Sequence, residues 1–390
     1  MPIKTFAYRL YPTKPQKRLL EATVETCRRF YNDCLAERKD AYESEQRTVS
    51  KYEQLRKVKI LKDTSPFARN IHSHILQVVV ADLDKAFRAF FRRIKSGDKP
   101  GYPRFKGKDR FDSFGLKEYG NGFKILGRRL KVSGIGRIAV RWHREMPSQP
   151  SIVRIIRKAD GWYACFACEV EAKLLPVTGK TIGIDVGITS IITDSFGNTT
   201  DNPKWYRAGQ RRLRVLQRSV ARKKKGGANR RKAVWLLQRH HLKVSRQRQD
   251  FLNKLANSLI ADNDLIALED LQIRNMVHNR HLSKSILDAG WNYLAQRLHA
   301  KAEEAGRVVI KVNPSGTSKA CAECGHIFAE MKLSDRWIDC PECGLSLDRD
   351  HNAAINILRR GLQSLGGDGQ SLWAPSSLMS EGLAQEAAGF

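Results

Sequence analysis

Four cysteines near the C-terminal end constrain the fold of this chain more than any other feature. They form two Cys-x-x-Cys pairs, Cys321 with Cys324 and Cys340 with Cys343, separated by fifteen residues, and a glycine follows each pair. Each pair is a turn that can place two thiolates on one ion, and two such turns complete a tetrahedral four-thiolate site. Because protein ligands then fill all four positions, the sequence predicts a structural zinc ion.

The chain also carries a large excess of positive charge. Its 390 residues include 70 lysines and arginines against 40 acids, a formal charge of +30. Such an excess would repel itself in a compact fold, and it therefore predicts a polyanionic partner, nucleic acid, better than a generic basic surface. Between Lys204 and Arg248 there are seventeen basic residues and no acid. We expect a basic helical hairpin there, with "KKKGGANRRK" as its turn.

Hydrophobic patterning places the chain among globular proteins with more than one domain. Hydrophobic residues make up 41% of the chain, without an apolar run long enough for a transmembrane helix. The N-terminal "MPIKTFAYRLYP" lacks the apolar segment of a signal peptide. These features predict a cytoplasmic protein.

The N-terminal half is predicted to contain one strand, then helices, then several short strands. After a strand in "TFAYRLYP", Thr13 and Gln16 predict a capping box at the start of a helix, and helical periodicity continues to about residue 96. From about 112 to 172 short alternating strands follow, which predict a small β-barrel that also includes the first strand. We assign two other cysteines, Cys27 and Cys34, to the helical core. Cys165 and Cys168, three apart in one strand, should face opposite sides of the sheet and share no metal.

A basic loop, "SGDKPGYPRFKGKDR", joins the helices to these strands. Its two aromatic residues, Tyr102 and Phe105, would suit a nucleic-acid backbone with stacked bases. An ordinary solvated loop accounts for the same residues equally well, and both interpretations stay open.

The C-terminal half alternates strands with helices. The segment "LLPVTGK" (174–180) is expected to be a linker, and the order strand, hairpin, basic helices, strand, helix, strand, cysteine-rich insert and helix predicts an α/β sheet covered by helices. The Gly/Ser-rich segment 366–390 is expected to be a flexible tail.

Three carboxylates are predicted at strand or helix ends of this α/β half. Asp185 lies in "GIDVGITSIITDS", Glu269 ends "IALED", and Asp350 begins the last helix in "LDRDHNAAINIL". Each would be costly unless it were solvated or bound a cation, and convergence on one or two Mg²⁺ ions would remove the cost. Two-metal sites of this kind cleave phosphodiesters. Gly183 and Gly187 should let a nucleic-acid backbone approach the strand. Nearby acids are expected in caps, loops or around the site: Asp270, Asp288 and Asp348.

These motifs together resemble the RuvC-like nuclease domain of the TnpB family, which insertion sequences encode and which is related to compact type V CRISPR nucleases. "GIDVGI", "ALEDL", the two cysteine pairs and "DRDHNAAINI" occur in the family's order and spacing, and "YRLYPTKPQKRLL", "GYPRFK" and "RQDFLNKL" extend the resemblance over nearly the whole chain.

The resemblance implies an RNA-guided DNA endonuclease. Such a protein would use a noncoding RNA from the transposon end, find a short motif beside its double-stranded DNA target, and cut with one RuvC site. Asp185, Glu269 and Asp350 match the three Mg²⁺-binding catalytic acids. The zinc ligands match Cys321, Cys324, Cys340 and Cys343. In a prokaryote the protein would be associated with the nucleoid.

The resemblance also implies an α+β multidomain fold. Residues 1–15 and 97–173 would form a wedge β-barrel with a helical recognition insert at 16–96. Residues 174–365 would form an RNase H-like α/β (RuvC) domain, with a zinc ribbon inserted at 317–347.

Two other functions are compatible with parts of the same sequence. A DNA- or RNA-binding transposition accessory or regulator would not cut, and its behaviour would not depend on Asp185. A guide-independent, structure-specific nuclease would cut without RNA, although the helical region and the basic hairpin exceed what such an enzyme needs.

Overall fold

Residues 3–108, 110–329, 331 and 335–365 are described by a computed structural model of the chain, which divides between Val170 and Glu171 into two units. The tail predicted at 366–390 lies outside the described residues. In the described ranges no helix is long and apolar enough to cross a membrane.

The first unit contains a seven-stranded antiparallel sheet. Its strands are β1 (Ile3–Tyr11), β2 (Ser113–Lys117), β3 (Phe123–Leu126), β4 (Arg129–Val132), β5 (Gly136–Arg141), β6 (Ile152–Lys158) and β7 (Gly161–Glu169). The order β2-β6-β7-β1-β5-β4-β3 places β1 in the middle, between β7 and β5, so the first strand joins the later strands as predicted. Every second residue of β1 is buried, namely Phe6, Tyr8 and Leu10. Closure of this sheet into a barrel stays a prediction.

Four helices fill the sequence between β1 and β2. They are α1 (Lys14–Glu45), α2 (Lys51–Thr64), α3 (Pro66–Arg69) and α4 (Ser73–Lys95). The capping box of Thr13 and Gln16 begins α1 as predicted. Cys27 and Cys34 are buried in the core, and in β7 the buried Cys168 and the partly exposed Cys165 lie on opposite faces, also as predicted.

The second unit contains a five-stranded mixed sheet. Its strands are β8 (Thr181–Asp185), β9 (Ser190–Asp194), β10 (Thr199–Asp201), β11 (Leu265–Glu269) and β12 (Val308–Val312), in the order β10-β9-β8-β11-β12. The first three strands are antiparallel neighbours, whereas β8, β11 and β12 run parallel. The helices between the parallel strands supply the long crossovers that such strands need.

The helices of this unit are α5 (Trp205–Ala221), α6 (Ala228–Asp262), α7 (Ile273–Met276), α8 (Ser283–Ala289), α9 (Trp291–Ala305) and α10 (Arg349–Ser364). A small hairpin, β13 (Trp337–Asp339) with β14 (Ser346–Asp348), comes just before α10. The second arm of the basic hairpin continues to Asp262 as one helix, α6, because no Gly or Pro interrupts it. Conversely, Gly290 (φ 75°) separates α8 from α9.

A buried ion pair fixes the start of the parallel strands. Asp264 and Arg307 stand immediately before β11 and β12, their side chains are at most 3% exposed, and they form a direct salt bridge. Asp264 also accepts hydrogen bonds from the backbone N–H groups of Thr178 (2.9 Å) and Gly179 (2.6 Å), and Arg307 donates to the carbonyl of Pro176 (2.6 Å). The segment that leads into β8 is thereby tied to the other two strands.

Replacing Arg307 by Met should lower the free energy of unfolding by about 3–5 kcal/mol, because the carboxylate of Asp264 would remain buried without its partner. Urea denaturation of the full chain measures the change. Lys311→Met is the matched control, since its ion pair with Asp270 (3.0 Å) is exposed and should contribute less than about 1 kcal/mol. Equal effects of the two substitutions would contradict this account.

Candidate active site and zinc centre

The three predicted acids lie at the ends of three neighbouring elements. Asp185 ends β8 and Glu269 ends β11, and because these strands are adjacent and parallel, both residues stand at the same edge of the sheet. Asp350 is the second residue of α10, which packs against both strands. The fold therefore brings together three residues that are up to 165 positions apart in the sequence.

Two glycines allow α10 to pack directly on the sheet. A Cβ atom at Gly183 would lie 2.2 Å from the carbonyl oxygen of Ala354, and one at Gly361 would lie 2.7 Å from Cβ of Ala267. The expectation that Gly183 makes room for a nucleic acid is therefore wrong, since the backbone of α10 occupies that space. At Gly187 a Cβ would meet the carbonyl oxygen of Ser190, 2.8 Å away within the same turn.

The electrostatics of Asp185 depend on burial and on the two other acids. Burial, followed by the negative charges of Glu269 and Asp350, raises the pKa of Asp185 from 3.8 to about 7. The backbone N–H of Val186 and the charge of Arg349 act in the opposite direction. A carboxylate that is buried beside two others is costly to ionise, and a cation between them would offset that cost.

Among the described residues, Thr317 is a close partner of Glu269. Burial raises the pKa of this carboxyl, while a hydrogen bond from Thr317 and the charge of Arg360 lower it. The hydroxyl of Thr317 lies 2.5 Å from Oε1 of Glu269. Glu269 is therefore held by a residue 48 positions further along the chain.

Asp350 lies near two arginines and follows the N-cap residue of α10 by two positions. Its Oδ2 lies 3.5 Å from Nη1 of Arg336, and its Oδ1 lies 4.0 Å from Nε of Arg349. Asp348 is the N-cap of α10 and accepts hydrogen bonds from the backbone N–H groups of Asp350 (2.9 Å) and His351 (3.1 Å). Of the predicted places for Asp348, a cap, a loop or around the site, the structure shows the cap, which fixes the backbone at Asp350.

The donor set of the three acids suits a hard cation. Carboxylate oxygens are the protein ligands that Mg²⁺ prefers. Among the described residues, the sulfur atoms of the four cysteines all lie within 4.8 Å of one another. The carboxylate oxygens of the three acids do not all lie within that distance of one another.

The four cysteines of the predicted zinc site are brought together. Sγ of Cys321 lies 3.6 Å from that of Cys343, and Sγ of Cys324 lies 3.5 Å from that of Cys340. A tetrahedral ion with Zn–S bonds of about 2.3 Å has sulfur–sulfur edges of about 3.8 Å, so these spacings fit Zn²⁺.

Each cysteine pair forms the same turn. The N–H of Gly325 donates to the carbonyl of Cys321 (3.0 Å), and the N–H of Gly344 donates to that of Cys340 (2.9 Å). Both glycines have a positive φ, 79° and 73°, which explains the glycine after each pair.

Two buried asparagines attach this zinc centre to α10. Asn352 accepts from the N–H of Ala322 (2.7 Å) and donates to the carbonyl of Ala320 (2.8 Å). Asn356 donates to the carbonyls of Ala320 (2.7 Å) and Thr317 (2.9 Å). Sequence reasoning missed these residues, although their four-residue spacing in "NAAIN" marks one face of a helix. Thr317 carried no signal, because only the fold brings it to Glu269.

Asp288 organises the basic helices. It is buried, it accepts from the backbone N–H of Tyr206 (2.9 Å) at the start of α5, and it pairs with Arg248 of α6 (2.7 Å). Asp288, for which a cap, a loop or a place around the site was predicted, thus binds the first turn of α5 from α8. The exposed basic residues of the two helices and their turn include Arg207, Arg211, Arg212, Arg214, Arg218, Arg222, Lys224, Lys225, Arg231, Lys232, Arg239 and Lys243.

Replacing Asp185 by Asn should stabilise the chain in magnesium-free buffer above neutral pH. Since the pKa of Asp185 is raised from 3.8 to about 7, its contribution to stability is fully present below about pH 4 and is lost as the pH rises through 7. The amide of the variant does not titrate. Thermal unfolding at several pH values from 5 to about 8 measures the difference.

The exposed Asp262→Asn variant is the control for that experiment, and its unfolding should follow the wild type at every pH. Identical pH profiles of the wild type and Asp185→Asn would contradict the predicted coupling. Added Mg²⁺ should reduce the difference in stability between the wild type and Asp185→Asn, because the cation offsets the negative charge of the ionised Asp185.

Three sequence profiles match the chain. The OrfB profile of IS605-type elements, described as "Probable transposase", matches residues 165–280, and a profile described as "Cas12f1-like, TNB domain" matches residues 291–357. A third, described as a "Helix-turn-helix domain", matches residues 1–47, where the structure has β1 and the single helix α1.

Known proteins are similar over almost the whole length. A protein of Streptomyces pristinaespiralis named "Putative RNA-guided DNA endonuclease" is 36% identical over 377 residues, which cover 94% of this chain and 91% of that protein. The Escherichia coli K12 protein "Putative RNA-guided DNA endonuclease InsQ" is 27% identical, with 92% of each chain covered.

A solved structure of a mini-RNA-guided endonuclease, CRISPR-Cas_phi3, is similar in fold, with a TM-score of 0.50 and 10% sequence identity over 93% of this chain and 92% of that chain. The matched profiles, the relatives and the motifs around Asp185, Glu269, Asp350 and the four cysteines agree, and the chain belongs to the TnpB family.

Proposed function

We propose that this protein is an RNA-guided DNA endonuclease encoded by an insertion sequence, with Asp185, Glu269 and Asp350 as its catalytic acids. The observation that carries the proposal is the convergence of these acids at one edge of the sheet, where burial and the charges of Glu269 and Asp350 raise the pKa of Asp185 to about 7. Relatives that match over more than nine-tenths of their length carry the name of this activity.

The three acids would hold one or two Mg²⁺ ions. When bound, these ions supply an activated water and stabilise the leaving oxygen in phosphodiester hydrolysis. Asp185 and Glu269 are carried by adjacent strands of the sheet, which limits their movement, and Asp350 is fixed through the N-cap of α10. Rigid elements of this kind keep catalytic groups in place.

The zinc centre would be structural. Four cysteine ligands leave no position for water or substrate, and the ion would join the second cysteine pair to the first, which α10 holds through Asn352 and Asn356. In domain terms, we propose a wedge barrel in the first unit and an RNase H-like RuvC fold in the second, where the zinc ribbon is inserted before α10.

The partners would be a noncoding guide RNA from the transposon end and double-stranded target DNA. The exposed arginines and lysines between Lys204 and Arg248 support this, because a segment without acids leaves its charge available to phosphates. Base pairing with the guide would select the target sequence, while the protein would recognise duplex shape and a short motif beside the target.

A DNA- or RNA-binding transposition accessory or regulator is the second candidate. It shares the basic surface but has no use for three converging acids, one of which is costly to ionise. Cleavage by the purified complex of protein and RNA therefore separates the two functions, and the acid variants test which residues carry the activity.

Asp185→Ala, Glu269→Ala and Asp350→Ala should each abolish cleavage of a matched plasmid target and leave RNA binding nearly intact, because each removes a ligand of the catalytic ions. Asp262→Ala removes an exposed acid of the same unit and should cut at the wild-type rate. Wild-type cleavage by any of the three acid variants would remove that residue from the site.

Replacing Arg211, Arg214 and Arg218 together by Ala should weaken binding of a labelled DNA duplex and make it less sensitive to salt. These residues lie on one exposed face of α5. The slope of log affinity against log salt should fall by about 2–3, since each lost phosphate contact removes about 0.9.

The control for this charge change replaces Arg47, Lys57 and Arg88, which removes the same charge at sites already paired with acids. Its slope should stay near the wild-type value. If both triple variants reduced the slope equally, the effect would reflect net charge and α5 would not be the binding surface.

A further inference from the structure

The contact between Thr317 and Glu269 is the shortest polar contact that any of the three acids makes in the described part of the chain. Oγ1 of Thr317 lies 2.5 Å from Oε1 of Glu269, and Thr317 is only 2% exposed. An ionised carboxylate can only accept, so the hydroxyl is the donor, and 2.5 Å is the length of a charge-assisted O–H···O⁻ bond. The carbonyl of Pro314, at 3.1 Å, is the longer alternative for the single hydroxyl proton.

The backbone around Thr317 is held by α10. Asn356 donates to the carbonyl of Thr317 (2.9 Å), and Nη1 of Arg360 donates to the carbonyls of Asn313 (2.9 Å) and Ser315 (2.6 Å). Asn356 is 5% exposed, which leaves it little freedom to exchange partners with water. The hydroxyl of Thr317 is thus presented to Glu269 from a fixed loop.

The same helix carries the third acid and packs on the strand of the first. Asp350 lies in the first turn of α10, and the close approach at Gly183 joins α10 to β8, which ends at Asp185. Glu269 belongs to β11, and Thr317 supplies its link to the loop that α10 holds. Without that hydrogen bond, Glu269 would keep its own strand and the charge of Arg360, and its carboxylate would lose the donor that orients it.

We propose that Thr317 is a positioning residue of the active site: its hydroxyl orients the carboxylate of Glu269 for metal binding, and α10 holds it in place through Asn356. The inference rests on the proposed function of Glu269 as a ligand of the catalytic metal. It goes further by assigning a role to a residue of the loop between β12 and the zinc knuckles.

The test compares Thr317→Val with Thr317→Ser. Valine keeps the shape and removes the hydroxyl, whereas serine keeps the hydroxyl and removes the methyl group. Mn²⁺ binding to the full-length, RNA-free chain is measured by calorimetry, with Asp185→Ala as the baseline for a lost site. Zinc content is measured by mass spectrometry on the same samples, and cleavage by the complexes with RNA is followed against Mn²⁺ concentration.

Thr317→Val should bind Mn²⁺ about 10-fold to 100-fold more weakly than the wild type, the usual effect of losing a partner that orients a metal ligand. Its cleavage should need correspondingly more Mn²⁺ and recover at saturation. Thr317→Ser should stay within about threefold of the wild type in both measurements, well short of the effect of a lost orienting partner. All three proteins should contain equal zinc.

Wild-type Mn²⁺ affinity in Thr317→Val would overturn the inference. An Mn²⁺ affinity of Thr317→Ser as low as that of Thr317→Val would also overturn it. A loss of zinc in Thr317→Val would do the same, since each of these results would assign the effect to packing. If the wild-type complex cut no target at any Mn²⁺ concentration, the nuclease proposal would fail, and the Mn²⁺ binding of the two variants would still decide the role of Thr317.

Discussion

The close packing of α10 on β8 is the constraint on which the rest of the second unit depends. A side chain at Gly183 would overlap the backbone at Ala354, and this contact sets how near the helix can come to the sheet. Because α10 lies so close, Asp350 reaches the edge where Asp185 and Glu269 end their strands. The same helix holds the loop of Thr317 and the zinc knuckles, so the candidate active site and the zinc centre share one support.

The site is arranged at a cost to stability. Burial raises the pKa of Asp185, and the nearby charges of Glu269 and Asp350 raise it further. Proteins keep such an arrangement where function requires it, and a cation offsets the repulsion. At the opposite ends of the strands, the buried pair of Asp264 and Arg307 stabilises the same sheet. The sheet of the second unit therefore has one edge where buried carboxylates repel one another and an opposite edge that a buried ion pair stabilises.

The sequence predicted the acids, the cysteines and the order of strands and helices, because each has a local signature. Asp185 and Glu269 end apolar strands, and the cysteine pairs have the spacing of zinc knuckles. The roles of Gly183 and Thr317 could not be predicted, since both depend on contacts with residues far away in the chain. Gly183 was assigned to nucleic-acid approach, and α10 fills that space instead. The extent of α6 and the break at Gly290 also exceeded what periodicity alone defines.

The most direct test of guided cleavage is to compare the protein that carries its copurified RNA with the same protein freed of RNA. Both are given plasmids that match the guide and plasmids that carry mismatches beside the flanking motif. The account predicts that only the RNA-bound protein cuts, that it cuts the matched plasmid, and that Asp185→Ala abolishes the reaction. Equal cutting by the RNA-free protein would contradict it.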